Sequence, residues 1–242
     1  MSCALCLKDK PLRQSHLIPE FLYAPLYDDK HRFQILSVLP EQGNELKQKG
    51  ERESLLCDCC EKLFSKYERY ASLLFTGQLP TTASREGDLI TVKGIEYAKL
   101  KLFQLSILWR AGVSTLPLFE RVQLGPHAER LRVLLHAENP GRPEDYGCVM
   151  SLLTASDGTT PSLIMQPTKV RNQGRVTYRF VIGGMVWVYF VSSVAPPYPF
   201  PLCVLRETGS AFIGVGKVSE MQDLGAFVQE VSRLGRAPRG GA

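Results

Sequence analysis

LLCDCCEKLFSKYERYASLLF, residues 55–75, opens on the C-x-x-C pair Cys57 and Cys60 and continues as an amphipathic stretch. Leu63, Phe64, Tyr67, Tyr70, Ala71 and Leu74 recur at three- and four-residue spacing, which places them on one buried stripe. The spacing predicts a helix starting near Asp58. A second pair, Cys3 and Cys6 in the opening CALC, repeats the same spacing. In such a pair a tight turn brings both thiolates to one side of the backbone. Two pairs close a tetrahedral four-sulfur site with no open position, the arrangement of a structural zinc. Residues 7–56 separate the pairs, more than a compact finger contains, so that interval carries structure of its own. Cys59 offers a competing C-x-C choice, but Cys57 and Cys60 match the spacing of the first pair.

The rest of the chain does not depend on a metal for its core. Its 242 residues are 44% hydrophobic and 22% charged, with a mean hydropathy of −0.07. That is enough apolar material for one large domain, or for a small domain beside a larger one. The opening MSCALCLKDK lacks the apolar centre of a secretory signal, and no stretch of about 18 uncharged apolar residues occurs for a membrane span. The expectation is a cytoplasmic protein with no membrane partner, in which thiols stay reduced and seven cysteines point to metal binding before disulfides. Cys148 and Cys203, in strand-like surroundings, read as small buried hydrophobes. A net charge of +5 suits a nucleic-acid partner without requiring one.

Patterning divides the chain into a cysteine-rich segment, residues 1–75, and an α+β segment, residues 95–235. The first reads as short turns and one helix more than as regular sheet. Residues 76–94, rich in Gly, Pro, Thr and Ser, read as a connecting segment. IEYAKLKLFQLSILWRAGV, residues 95–113, is apolar on most of its circumference and is expected as a central core helix. A second helix should start at Pro126 and stop at Asn139-Pro140-Gly141. VTYRFVI and MVWVYFV flank Gly183-Gly184, a strong hairpin signal because glycine accepts the positive φ that tight two-residue turns need. CVMSLLT, PSLIMQP, PLCVLRE and AFIGVG are shorter strand candidates. A last helix, about 221–234, and a disordered tail, 236–242, complete the expected order: a helix pair, an antiparallel sheet and a C-terminal helix.

Between the cysteine pairs lies Gln14-Ser15-His16-Leu17-Ile18-Pro19. A C-x-x-C, then a histidine in an H-L-I-P context, then a returning L-L-C-x-x-C at a helix start resembles the HNH, or ββα-metal, endonuclease family with its auxiliary four-cysteine zinc. The likeness covers residues 3–70. It implies a small zinc-bound ββα-metal-like domain at the N-terminus. It also implies a metal-dependent endonuclease acting on phosphodiester bonds, with His16 as the general base that activates a water. An imidazole suits that task because its ordinary pKa lies near operating pH. In such a family the catalytic ion is divalent, Mg²⁺ or Mn²⁺, and separate from the structural zinc. The resemblance also implies a setting in bacterial defence against phage and mobile elements.

Three features differ from the family's pattern, one being that the asparagine expected shortly before the last pair is absent, where the chain reads Glu51-Arg52-Glu53-Ser54. The residue before the histidine is commonly acidic or a histidine, whereas this chain has Ser15. The last cysteine is usually followed by a histidine or asparagine, whereas here Glu61 follows Cys60, and a carboxylate can hold Mg²⁺ or Mn²⁺. The catalytic candidates are therefore His16 and Glu61, and the metal candidates Cys3, Cys6, Cys57 and Cys60. A second reading keeps the zinc and drops the chemistry: a non-catalytic module that binds nucleic acid or protein through a degenerate site. Phe21, Tyr23, Tyr27 and Phe33, interleaved with Lys30 and Arg32, suit either a nucleic-acid face or packing around the zinc. DNA or RNA is the partner in the first reading. A protein partner or a second copy is compatible with both. Lys62, Lys66 and Arg69, with Glu61 and Glu68, read as a solvated helix face, and Arg110 as paired with an internal carboxylate.

Overall fold

The computed structural model describes residues 2–35, 44–161, 163–192 and 194–221, together with Ala226 and Arg233. Strand β1, Leu12–His16, leaves the first cysteine pair; two short strands follow, β2, Phe33–Ile35, and β3, Glu45–Lys47, which pair with each other. Strand β4, Arg52–Cys57, then returns antiparallel to β1, from Leu12 opposite Cys57 to His16 opposite Arg52. It runs straight into helix α1, Asp58–Phe75. Cys57 is the extended N-cap, and Asp58 and Glu61 place negative charge in the first turn, where the helix dipole favours it. Of the stripe read from the sequence, Phe64, Tyr67, Tyr70 and Ala71 are buried, joined by Cys60, while Leu63 and Leu74 are half-buried.

The stretch expected to connect two parts is itself structured. Strands β5, Thr82–Glu86, and β6, Leu89–Lys93, form a hairpin around Gly87. Gly87 has a φ of +57°. Every residue of β5 is exposed, so the strand lacks the apolar alternation that reveals strands in sequence. Helix α2, Tyr97–Val113, is the core helix expected, buried on all sides from Leu100 to Ala111. Helix α3, Pro126–His136, starts at its proline and packs on α2.

Five more strands follow: β7, Cys148–Thr154; β8, Ile164–Asn172; β9, Arg175–Ile182; β10, Met185–Phe190; and β11, Ser210–Lys217. With β5 and β6 they make a seven-stranded sheet of order β5-β6-β11-β7-β10-β9-β8. The β9–β10 turn is the Gly183-Gly184 pair, both at positive φ (60° and 75°), with Ile182 opposite Met185. Two expectations need correction. The sheet is mixed, because β11 pairs parallel to β7 while its other neighbour is antiparallel. PLCVLRE is no strand: Phe200–Leu202 forms a 3-10 turn, and Val204 makes a single isolated bridge to Val149. The four prolines of PPYPFP (Pro196, Pro197, Pro199 and Pro201) lack the N–H groups a ladder needs. The last helix and the tail fall outside the continuously described residues.

The cysteine-rich segment was also expected to lack regular sheet, yet it holds both two-stranded ladders. Its buried residues belong to the same apolar cluster as the large sheet. That cluster runs from Cys3 and Leu5 through Leu56, Phe64 and Trp109 to Trp187 and Tyr189. Phe64 meets Trp109 edge-on at 6.0 Å, and Phe103 of α2 meets Trp187 of β10 at 6.3 Å. Helix α2 therefore joins α1 to the sheet, with no break in the core near residue 75. No helix among the described residues is long and apolar enough to cross a membrane.

Candidate metal centre and the His16 site

The first cysteine pair sits in a tight reversal. Cys3 donates its N–H to the Lys8 carbonyl at 2.9 Å, and the Leu7 N–H returns to the Cys3 carbonyl at 2.9 Å. Leu7 adopts a φ of +59°, which turns the chain sharply enough to bring Cys3 and Cys6 to one side. The reversal is fastened twice: Ala4 N–H bonds the Leu55 carbonyl at 3.1 Å, and Arg132 of α3 donates to the Leu5 carbonyl at 2.7 Å. The second pair occupies the N-cap and first turn of α1. All four sulfurs, of Cys3, Cys6, Cys57 and Cys60, lie within 4.8 Å of one another.

That geometry fits a metal ion such as zinc. A tetrahedron with bonds of about 2.3 Å has sulfur–sulfur edges of about 3.8 Å, and Cys6 Sγ and Cys57 Sγ are 3.8 Å apart. Cys3, Cys57 and Cys60 are buried, as a closed site requires. Cys59 is exposed and stands outside the group, 3.8 Å from Lys10 Nζ. Electrostatics make the sulfurs interdependent. Burial raises the Cys57 thiol, but the Cys60 backbone N–H and the sulfurs of Cys60, Cys3 and Cys6 outweigh it and bring Cys57 down to about 7. Burial, then the Cys57 sulfur, holds Cys60 far above the ordinary thiol range. Cys6 is likewise raised, first by burial. Cys57 ionises readily while burial, first, holds the protons on Cys6 and Cys60; a cation would relieve that conflict and release them. Beside the cysteines lies a shallow depression of about 460 Å³, lined in part by Lys8, Lys10, Lys62 and Lys66.

Strand alternation separates the two sequence-predicted catalytic residues. Ser15 points inward from β1 and is buried; its hydroxyl donates to Glu61 Oε1 and accepts the Leu56 N–H at 3.1 Å. Glu61 is raised above the ordinary carboxylate range, first by burial, against the opposing Ser15 hydrogen bond and the Arg110 charge. His16, the next residue along the strand, meets a different carboxylate: its Nε2 lies 3.0 Å from Glu20 Oε2. Burial lowers the His16 pKa, with Arg52 adding to the effect and Glu20 and Glu68 opposing it, so the ring is neutral near pH 7. The backbone of His16 is held as well. Arg110 Nη1, reaching from α2, donates to its carbonyl at 2.6 Å and to Glu68 Oε1 of α1 at 2.7 Å.

The charged face expected on α1 is only partly solvated. Lys62 pairs with Asp58 and Lys66 lies near Glu138 at the surface, whereas Glu61 and Glu68 turn inward. Arg110 finds the internal carboxylate expected for it in Glu68. The aromatic residues between the cysteine pairs are committed to packing: Phe21 lies against Phe75 and Phe103, Tyr23 against Phe33, and Tyr27 stacks on His31.

Sequence reasoning missed Glu20 and Arg52, which border His16. Glu20 had a signal: it stands four residues after the histidine, at the start of the 3-10 turn Glu20–Leu22 that Pro19 introduces. Arg52 had none, because its place opposite His16 depends on a register set across 36 residues of chain. Among the described residues no second group of three or more histidine, cysteine or acidic side chains gathers as the four cysteines do. No family model, curated protein or solved structure matches the chain.

Proposed function

We propose that residues 2–75 form an HNH-like, zinc-scaffolded metal-dependent endonuclease unit, with His16 as the general base. The observation that carries this reading is the order β1, β4, α1 around the four cysteines, with a histidine ending the first strand and a carboxylate at its ring. The role assigned to zinc is structural: all four tetrahedral positions are taken by sulfur, which leaves none for substrate.

In the reaction, His16 takes a proton from a water as the water oxygen bonds to phosphorus. The phosphorus–oxygen bond to the leaving group breaks, and the leaving oxygen takes a proton from solvent. A neutral imidazole can accept that proton at pH 7. A divalent ion, when bound, would supply stabilisation of the phosphate and the leaving oxygen. With no second group of three or more ligands among the described residues, it would rest on few side chains, completed by water and phosphate as Mg²⁺ commonly is. Glu61, the sequence candidate, is held by Ser15 on the opposite face of β1 from the imidazole. Nicking of supercoiled plasmid with Mg²⁺ or Mn²⁺, abolished in His16→Ala while zinc content is unchanged, is the expected result. A zinc-loaded preparation that cuts neither DNA nor RNA with any divalent ion would refute the enzyme reading.

One observation favours a non-catalytic module instead. Glu61 is engaged by Ser15 and Glu68 by Arg110, so both inward carboxylates of α1 already have partners within the chain. On that reading the same scaffold binds nucleic acid or a protein without cutting, and metal titration would reveal zinc alone. Binding of labelled nucleic acid with no cleavage at any metal concentration distinguishes it.

A further inference from the structure

Among the described residues, Nε2 of His16, Oε2 of Glu20 and Nε of Arg52 are buried polar atoms with no hydrogen bond. They belong to adjoining side chains. His16 Nε2 and Glu20 Oε2 are 3.0 Å apart but misaligned for a hydrogen bond, and Arg52 Nη2 is 3.8 Å from the same Glu20 oxygen. Buried polar atoms are nearly always hydrogen-bonded. Here the imidazole and the guanidinium share only ion contacts to Glu20 Oε2, which leaves donor capacity on Arg52 for atoms from outside the chain.

The backbone explains why they converge. His16 and Arg52 form the last pair of the β1–β4 ladder, and residues directly opposite in a ladder project from the same face. Glu20 is steadied from the far side, because its Oε1 accepts the Tyr27 hydroxyl at 2.6 Å. That leaves Oε2 between the imidazole and the guanidinium. The three unbonded atoms are themselves covered, so a ligand reaches the patch through the exposed remainder of the side chains, 28% for His16, 40% for Glu20 and 32% for Arg52. A cation placed between His16 and Glu20 would face the fixed charge of Arg52. An anion gains from that charge, and a guanidinium presents its nitrogens in a planar fork that fits phosphate.

We propose that Arg52 is the phosphate-binding residue of this site, taking a non-bridging oxygen of a nucleic-acid phosphodiester. Glu20 is the positioning residue that holds the imidazole and the guanidinium on one side of the ladder. The assignment deepens the nuclease reading and rests on it for the class of ligand. It places the scissile phosphate beside the base and not over the cysteines.

The test uses the full zinc-loaded chain and fluorescein-labelled single-stranded DNA and RNA oligonucleotides, without added Mg²⁺ or Mn²⁺. Anisotropy is followed across a salt series, with inorganic phosphate as competitor. Arg52→Met should weaken binding about five- to tenfold and reduce the salt slope by about one. Arg52→Lys should keep the slope and recover part of the affinity, and this variant decides the matter if Arg52→Met does not fold. Competition by phosphate only far above oligonucleotide concentrations identifies the polymer as the ligand; equal potency reassigns the site to free phosphate and overturns the proposal.

For Glu20→Gln the readout is the ring nitrogens of His16 by NMR. The charged groups around that ring are Arg52, Glu20 and Glu68. Removing Glu20 should therefore lower the titration midpoint of the ring, and unchanged ring nitrogens would refute the positioning role. Wild-type affinity and salt slope in Arg52→Met, or no oligonucleotide binding by the wild type, would overturn the phosphate site. Plasmid nicking separates the two ideas. A wild type that cuts while Arg52→Met binds normally removes the phosphate site alone. A wild type that never cuts while Arg52→Met loses binding removes the nuclease and keeps the site.

Discussion

Arg110 Nη1 lies 2.7 Å from Glu68 Oε1, an ion pair between the central helix and the helix that carries the second cysteine pair. The Arg110 side chain is only 2% exposed. Its remaining bonds go to the Ser106 carbonyl, the Ser106 hydroxyl and the His16 carbonyl. A buried pair stripped of one member leaves an uncompensated charge, at a cost of about 3–5 kcal/mol. Arg110→Met and Glu68→Gln should each lose stability of that order in urea unfolding. The double variant should lose clearly less than the sum, since the two changes remove one interaction. Strict additivity would show that the pair is not coupled.

The metal centre makes a separate expectation. Four sulfurs tie residues 3–6 to residues 57–60, closing a loop of about the size for which a cross-link contributes roughly 4 kcal/mol. For a chain of this length that corresponds to roughly 8–16 °C in melting temperature. Cys3→Ala should lose the metal and melt lower by that amount. Hydrogen exchange should show where the loss falls. Residues 2–9 and the β1–β4 ladder should lose protection, while β9 and β10, which pair across the Gly183-Gly184 turn, should keep it. Uniform loss of protection would mean that the metal supports the whole core.

How far the sequence reveals this depends on whether the signal is local. The four cysteines, the stripe of α1, the all-round burial of α2 and the paired glycines of the β9–β10 turn are each written in a few neighbouring residues. The β5–β6 hairpin is not: its outer strand is wholly exposed, and Thr82 to Glu86 carries no apolar alternation. The parallel pairing of β11 with β7 depends on contacts more than fifty residues apart, which no local pattern encodes. The His16 site divides along the same line. His16 and Ser15 are adjacent, so the strand period alone puts them on opposite faces. Glu20 follows at short range. Arg52 and Arg110 reach the site through a strand register and a helix packing, and become visible only in the folded chain.

Lys101 supplies a test by pH. Its side chain is deep in α2, where Nζ donates to the carbonyls of Pro143 and Tyr146 at 3.1 and 3.3 Å. Burial, against the weaker pull of Cys148, Asp145 and Glu144, brings its pKa down to about 8. Unfolded, the amine keeps its proton to about 10.5. Between these values the unfolded chain binds more protons, so this group makes stability rise with pH. Its cost is fully present below pH 8 and relieved toward 10.5, amounting to at most about 3 kcal/mol. Lys101→Met should remove that dependence. The difference in unfolding free energy between wild type and variant should therefore shift in favour of the wild type from pH 7 to pH 10. Thiolate effects at the four clustered cysteines are common to both proteins and cancel in the difference, and Cys148, which faces Lys101, is held by burial up to about 12, above the range compared. Parallel pH curves would show that the amine is not desolvated.

Gly112 gives an expectation opposed to helix propensity. It lies in the last turn of α2, where replacing glycine with alanine ordinarily favours a helix by about 1 kcal/mol. Here a β-carbon would run into the side chain of Leu124, which is itself buried in the main core. The branched carbon of Leu124 is among the atoms struck, so rotation of one terminal methyl does not clear the contact. Overpacking of this kind costs about 1–3 kcal/mol, which exceeds the propensity gain at most of that range. Gly112→Ala should therefore be destabilised or neutral, and Gly112→Ala combined with Leu124→Ala should recover the space but lose the buried leucine. Measured by urea unfolding, a single variant more stable than the wild type would mean that α2 and the segment before α3 can separate freely. Both segments would then be looser than the core they share with Trp109 and Trp187.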